Sequence, residues 1–188
     1  KFFGIDKDII TKSKEDIYKI VIAAEELASH KTGGLIVLER DIKIGDIAET
    51  GIEMNSDISP QLLVNIFVPN TPLHDGAIII SNNKIVAAAC ILPLANDKEI
   101  AKALGTRHRA AIGVSKETDS IAIVISEETG KISVAKDGTL IVDVDEETLK
   151  KILIKEMITN RFKEESTVKA NKIKKLRTKF EKENKKES

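Results

Sequence analysis

The sequence predicts an α/β (α+β) domain, a central mixed β-sheet flanked by helices. Three observations carry that expectation. Segments with apolar residues at helical spacing are interleaved with short β-branched runs, the pattern of helices packed on a sheet. Several of those runs follow one another across tight polar turns, so part of the sheet must be hairpins. The 188 residues, 41% of them hydrophobic, are enough for one domain with a real core. No internal repeat is visible.

Ser13 to Ser29 reads as the first helix, with Ser13 as its cap and Asp16 in its first turn. Ile17, Ile20, Val21, Ala24 and Leu27 recur on one face. Gly33-Gly34 is expected to end it, and Leu35 to Leu38 is a buried strand. Ser59-Pro60 opens a second helix with Pro in its first turn and Leu62, Leu63, Ile66 and Phe67 on its apolar face. Pro69 and Pro72 then impose a rigid turn. Ala77 to Ser81 and Lys84 to Leu92 form a hairpin about Asn82-Asn83, because Asn tolerates positive φ. A third helix begins near Thr106. Ile121 to Ile125, Lys131 to Ala135 and Thr139 to Val142 are strands joined at Thr129-Gly130 and Asp137-Gly138. Asp145 caps a last helix through Leu149, Ile152, Leu153 and Met157. From Phe162 onward Lys and Arg crowd the chain while Gly and Pro vanish. The domain is therefore expected over 1–161, with 162–188 a basic tail, helical or disordered. That tail is either solvated or laid on a lipid surface or a partner.

Composition excludes several functions. The 30 Lys and Arg balance the 30 Asp and Glu, so no global field points to nucleic acid or membrane. Aromatic residues make up 3%, which argues against a base-stacking platform, and nucleic acid is not an expected partner. The single Cys90 lies in an apolar run and reads as a buried thiol in a reducing compartment. No apolar run reaches the roughly 18 to 20 residues that span a bilayer, and no signal peptide is visible. A chain starting at Lys1 is expected to be a fragment, with any membrane anchor upstream of it. No nucleophile triad, CxxC pair, Walker-type loop or GxGxxG fingerprint occurs.

Two polar, glycine-bearing islands stand out. The first, Leu73-His74-Asp75-Gly76-Ala77, runs straight into Ile78-Ile79-Ile80. Asp75 sits between a proline-stiffened loop and a buried strand. It is either a metal ligand or general base aimed from a rigid edge, or an Asp-Gly turn that shapes the loop. His74 is either a ligand or an ordinary loop histidine. The second island is Gly105-Thr106-Arg107-His108-Arg109-Ala110-Ala111-Ile112-Gly113, at a helix start. Arg107 and Arg109 diverge by roughly 200° on a helix, so two phosphates, or two ligands, suit them better than one. The alternative is a plain basic helix end, although cations there oppose the helix dipole, whereas phosphate is favoured. A third cluster, Ser126-Glu127-Glu128-Thr129-Gly130, is either part of a divalent-metal site or a solvated acidic turn.

Together these motifs resemble a known family. The segment from Ser13 to Arg161 is similar to the diadenylate cyclase (DAC) domain, most of all to the membrane-anchored CdaA type. The resemblance rests on Asp75-Gly76-Ala77 and Arg107-His108-Arg109, supported by Leu73-His74, Ala88 to Leu94, Gly105-Thr106 and Ser126 to Gly130. It implies condensation of two ATP into cyclic di-AMP with release of two pyrophosphates. Each domain would hold one ATP and work face to face with another copy, a homodimer being required. By position, Asp75 favours the ribose 3′-hydroxyl as nucleophile and Gly76 lets backbone approach the ligand. Thr106, Arg107, His108 and Arg109 contact phosphates, while Ala77, Ser126 and Glu128 join the ATP site and Leu92 helps hold adenine. His74, Asp75 and Glu128 would hold Mn²⁺ or Mg²⁺, with Co²⁺ a further option. Ile91 stands where relatives often carry a Tyr beside adenine; loss of that face costs about 1 kcal/mol. The resemblance also implies a full-length protein on the cytoplasmic face of a bacterial membrane, with this fragment soluble and regulatory membrane or cytosolic proteins as further partners. A catalytically silent nucleotide-binding module is the rival reading, and a metal-dependent phosphohydrolase the third.

Overall fold

Runs such as Gly34–Leu38 and Ile121–Ile125 are buried at every position, which a sheet allows only when both its faces are covered. The structure, a computed structural model, describes residues 2–95 and 104–159. In chain order the elements are α1 (Phe2–Ser29), β1 (Gly34–Leu38), α2 (Gly45–Ala48), β2 (Ile52–Asp57), α3 (Pro60–Ile66), β3 (Ala77–Ser81) and β4 (Lys84–Cys90). They continue with α4 (Thr106–Glu117), β5 (Ile121–Ile125), β6 (Ile132–Lys136), β7 (Thr139–Ile141) and α5 (Glu146–Ile154), which runs into a π-helical turn, Lys155–Thr159. The seven strands lie in the order β2-β4-β3-β1-β5-β6-β7. Only β1 and β3 are parallel; every other neighbouring pair is antiparallel. This is the mixed sheet the sequence predicts.

Alternation along the strands sorts two cores. Ile36, Ile78, Ile123 and Ile125 share one with α1, α3 and α5, through Ile20, Leu27, Leu63, Ile66 and Leu149. Val37, Ala77, Ala122 and Val124 share the other with Ala110, Ala111 and Val114 of α4. The first layer is built of large aliphatic side chains and the second largely of small ones, so α4 can lie close to the sheet.

Most local signals operate as read. Ser59 Oγ accepts the Leu62 N–H at 3.1 Å with Pro60 following it, and Asp145 accepts the Thr148 N–H at 2.8 Å. Asn82 and Asn83 turn the β3–β4 hairpin at φ 48° and 62°, the geometry that matches strand twist. Three expectations need correction. α1 begins at Phe2, so Ser13 is not its cap; no proline interrupts the preceding residues. Ser13 and Asp16 instead take the two Asn83 Nδ2 hydrogens, at 3.2 and 3.0 Å, tying α1 to the hairpin turn. The helix also stops without Gly33-Gly34: Lys31 takes the left-handed position at φ 51°, and the Thr32 N–H closes on the Leu27 carbonyl at 2.8 Å. Finally, α2 and β2 have no counterpart in the sequence reading. β2 is an edge strand whose residues are all exposed or half-buried, so it lacks the apolar signature, and only its pairing with β4 defines it. The expected basic tail beyond Phe162 and the boundary after Arg161 lie outside the described residues.

Two consequences can be measured. A Cβ on Gly51 would meet the Ala88 carbonyl oxygen and come within 2.5 Å of Cys90 Sγ, whereas one on Gly45 meets nothing within 4 Å. Gly51→Ala should therefore cost about 1–3 kcal/mol in urea unfolding, and Gly45→Ala less than about 0.5 kcal/mol. Equal effects would contradict this packing. Burial alone would raise the pKa of Glu39, but hydrogen bonds from the Ile44 N–H (3.0 Å), Lys43 (2.8 Å) and Ser81 (2.6 Å) outweigh it and hold the carboxyl below its ordinary 4.5. A carboxylate with a depressed folded-state pKa contributes stability above its unfolded value and loses it as pH falls through the folded one. Glu39→Gln should thus be less stable than wild type at pH 7 and lose less on acidification below about 4.5, read from melting temperature against pH.

Candidate active site

Topology brings the islands together. Because β1 and β3 are parallel, with Ile36 opposite Ile78, their N-terminal ends lie at the same edge of the sheet. β5 runs antiparallel to β1, with Gly34 opposite Ile125, so its C-terminal end reaches that edge. β4 runs antiparallel to β3, Ala77 opposite Cys90, and ends there too. Four strand ends thus deliver Gly33, Gly76, Ile91 and Ser126 to one rim.

On the β3 side, Asp75 is exposed and His74 is half-buried. The His74 Nδ1 lies 2.6 Å from the Thr71 carbonyl oxygen. A carbonyl only accepts, so Nδ1 carries a proton, and Nε2 is the ring nitrogen left for a ligand. Gly76 has φ +120°, and a Cβ there would come within 2.7 Å of the Ala89 carbonyl carbon and the Cys90 oxygen. Its glycine character is demanded by the β4 backbone behind it, a reason the sequence reading did not supply. Ala89 itself sits at φ 54°, where the β3–β4 register slips, a bulge of the kind that re-aims chain at strand ends.

On the other side, α4 starts at Thr106 with Gly105 as N-cap and no side-chain capping bond. The first N–H groups of such a helix have no intrahelical acceptor, which makes its start a favourable seat for an anion. Arg107 Nη1 lies 2.9 Å from Glu127 Oε2, and Arg109 Nε is 3.4 Å from the Ala95 carbonyl oxygen. The two guanidiniums part company, as the helical divergence predicts. The 91–95 segment is pressed onto α4: the Ala95 N–H bonds the Arg109 carbonyl at 3.1 Å, and a Cβ on Gly113 would collide with the Pro93 carbonyl. Leu92, at 7% exposure, belongs to the α4-side core, so what it offers a base is chiefly its backbone. Ile91 is 71% exposed, with its N–H held by Thr50 Oγ1 at 2.9 Å.

The third wall is the 126–130 turn. Ser126 Oγ accepts the Thr129 N–H at 3.2 Å, leaving its own hydrogen to donate. Gly130, at φ +72°, lies so near the end of α1 that a Cβ would be 2.6 Å from the Ala28 oxygen. The turn is thereby docked on α1, with exposed Glu127 and Glu128 pointing from it. Burial pushes the His108 imidazole below its ordinary pKa of 6.5, and the Glu128 carboxylate pulls the other way. The net effect is downward, which favours the uncharged ring.

The expected metal ligands His74, Asp75 and Glu128 do not form a site on their own: among the described residues, no three His, Cys, Asp or Glu side chains gather into a metal-binding group. Glu127, expected only as part of an acidic cluster, is paired with Arg107, and both side chains lie against Gly33. Gly33 was read only as a helix terminator. Two consecutive glycines, where one suffices for a stop, were the available signal.

An arginine-bearing helix start and a carboxylate loop at one rim of a mixed sheet are the equipment an α/β domain needs to bind a phosphate-bearing ligand. Residues 21–140 match the family model described as DAC, DisA bacterial checkpoint controller nucleotide-binding, and the chain belongs to that family. It is 52% identical over 147 residues to the cyclic di-AMP synthase CdaA of Bacillus subtilis, covering 78% of this chain and 54% of that protein. It is 54% identical over 143 residues to a diadenylate cyclase of Listeria monocytogenes, covering 76% of this chain and 52% of that one. A crystal structure of a double cysteine mutant of DacA from Staphylococcus aureus superposes with TM-score 0.75 at 45% identity, covering 77% of this chain and 96% of that one. The chain spans about half the length of the first two relatives. Among the described residues, no helix is long and apolar enough to cross a membrane.

The electrostatics of the rim can be tested directly. By NMR, the His108 ring should titrate below 6.5. Glu128→Gln removes the charge that raises it and should move the midpoint further down; an upward move would show that Glu128 does not face the ring.

Proposed function

We propose that this chain is the catalytic domain of a diadenylate cyclase, converting two ATP into cyclic di-AMP and two pyrophosphates. The observation that carries it is the Asp75 carboxylate set at the same rim as the uncapped α4 start with Arg107, His108 and Arg109. Kinship with a cyclic di-AMP synthase supports the same reading.

Each 3′-oxygen attacks the α-phosphorus of the other nucleotide. A P–O bond forms, the α–β anhydride breaks, pyrophosphate leaves with the electron pair and the hydroxyl proton is lost. Two such steps close the ring. Asp75 takes or steers the proton of the 3′-hydroxyl, a role open to an exposed carboxylate on a rigid loop. Thr106 and the free N–H groups of α4 receive phosphate oxygens. Arg107 neutralises phosphate from the 126-turn side and Arg109 from the 91–95 side, while His108 supplies a hydrogen bond. Ser126 donates its free hydroxyl hydrogen, and Ala77 and Glu128 border the same site. The adenine lies by Ile91 and the Leu92 backbone. A divalent ion, Mn²⁺, Mg²⁺ or Co²⁺, supplies charge neutralisation to the triphosphate when bound. His74, Asp75 and Glu128 would hold it, and because they do not gather into a cluster among the described residues, nucleotide oxygens would complete the set.

The described residues present a single such rim, and the transfer requires two nucleotides in line, so the active species is a homodimer of facing copies. In the full-length protein the domain would lie on the cytoplasmic face of the membrane, with regulatory proteins as additional partners.

Incubation of the protein with ATP and Mn²⁺ should yield cyclic di-AMP and pyrophosphate, identified by mass spectrometry. Specific activity should rise with protein concentration across the dissociation range. Asp75→Asn should lower turnover by more than about 10²-fold with ATP affinity largely kept. Binding without any product, across metals and concentrations, would leave a silent nucleotide-binding module, and AMP or free phosphate a hydrolase.

A further inference from the structure

Gly33 is set apart from the other tightly packed glycines of the rim by what its missing side chain makes room for. At Gly76 and Gly113 an added Cβ would strike backbone. At Gly33 it would lie 2.5 Å from Arg107 Nη1, 2.9 Å from Arg107 Cζ and 2.9 Å from Glu127 Oε2. The space is filled by the ends of two flexible side chains, which are themselves ion-paired at 2.9 Å. The Arg107 side chain is only 24% exposed although Glu127 is 66% exposed. The guanidinium is therefore seated on the Gly33 backbone and held from outside by a carboxylate. The contact engages Nη1 and leaves other donors of the fork free.

We propose that Gly33 and Glu127 are positioning residues that pre-set the Arg107 guanidinium for the triphosphate: Gly33 is the floor of its seat and Glu127 the anchor. The inference rests on the reading of Arg107 as a phosphate contact. A long arginine free in solvent must give up several rotatable bonds when it grips a ligand, whereas a seated one has already done so. The seat is assembled from three separate elements: the α1–β1 link, the 126–130 turn docked on α1 through Gly130, and the first turn of α4.

Calorimetric ATP affinity and steady-state kinetics test it with Glu127→Gln, Gly33→Ala and Arg107→Ala, alone and combined. Glu127→Gln should raise the Kd and KM for ATP about threefold, the scale of a largely exposed ion pair, with kcat changed less than about twofold. Gly33→Ala, whose methyl need only push aside side-chain ends, should keep the wild-type melting temperature within about 3 °C and raise Kd about tenfold. In an Arg107→Ala background neither change should weaken ATP further. Equal losses with and without Arg107, no loss in either single variant, or a kcat loss at unchanged KM would overturn the seat. If Gly33→Ala does not fold, the Glu127→Gln cycle decides alone. Absence of cyclic di-AMP from wild type would sink the cyclase reading, yet the ATP-binding arm would still judge the seat.

Discussion

The structure depends on how closely α4 can approach the sheet. Where they meet, small side chains are prominent: Ala122 of β5 and Ala135 of β6 from the sheet, Ala110 and Ala111 from the helix. At Gly113 the helix has no room for a methyl against the Pro93 carbonyl. Larger residues would lift the helix and carry its N-terminus, with Arg107 and Arg109, away from the rim where β1, β3, β4 and β5 end. In a layer packed this tightly the height of a helix is set by side-chain volume, and the height of the helix sets the reach of its arginines.

The opposite layer makes that precision affordable. Ile36, Ile78, Ile123 and Leu149 are fully buried among α1, α3 and α5, and removing one such side chain from a core costs about 2–5 kcal/mol. Stability concentrated there lets the α4 side carry features that stability alone would not select. These include a bulge with Ala89 at positive φ, an uncapped helix start and an arginine parked on a glycine. Cys90 lies beneath the same rim, 1% exposed, and burial pushes its thiol up to about 11. It is a packing residue with no thiolate chemistry near neutral pH.

Local signals were legible wherever one residue decides the geometry. Ser59, Asp145, Asn82-Asn83 and Asp137-Gly138 each act within a few residues of themselves, and the helices, turns and strands they mark are present. Signals that depend on a distant partner misled. Ser13 and Asp16 look like a cap and first turn, yet their partner is Asn83 on a hairpin far along the chain. β2 could not be read because an edge strand with solvent on one side needs no apolar pattern, and the backbone of β4 is its reason to exist. The glycines were the hardest to read: Gly33, Gly76 and Gly113 look alike in sequence, and each is required by a different neighbour.

By itself, the sequence determined the class of fold, the order of most elements, the identity of the two chemical islands and the family they resemble. These follow from periodicity, capping and short motifs, which are local. Only the tertiary structure decided that β1 and β3 run parallel, so that Gly33, Asp75, Ile91 and Ser126 meet at one rim. It also decided that Arg107 turns towards Glu127 while Arg109 turns towards Ala95, and that burial lowers the His108 pKa. Those outcomes depend on which surfaces are left in contact once both faces of the sheet are covered, and no stretch of chain carries that information alone.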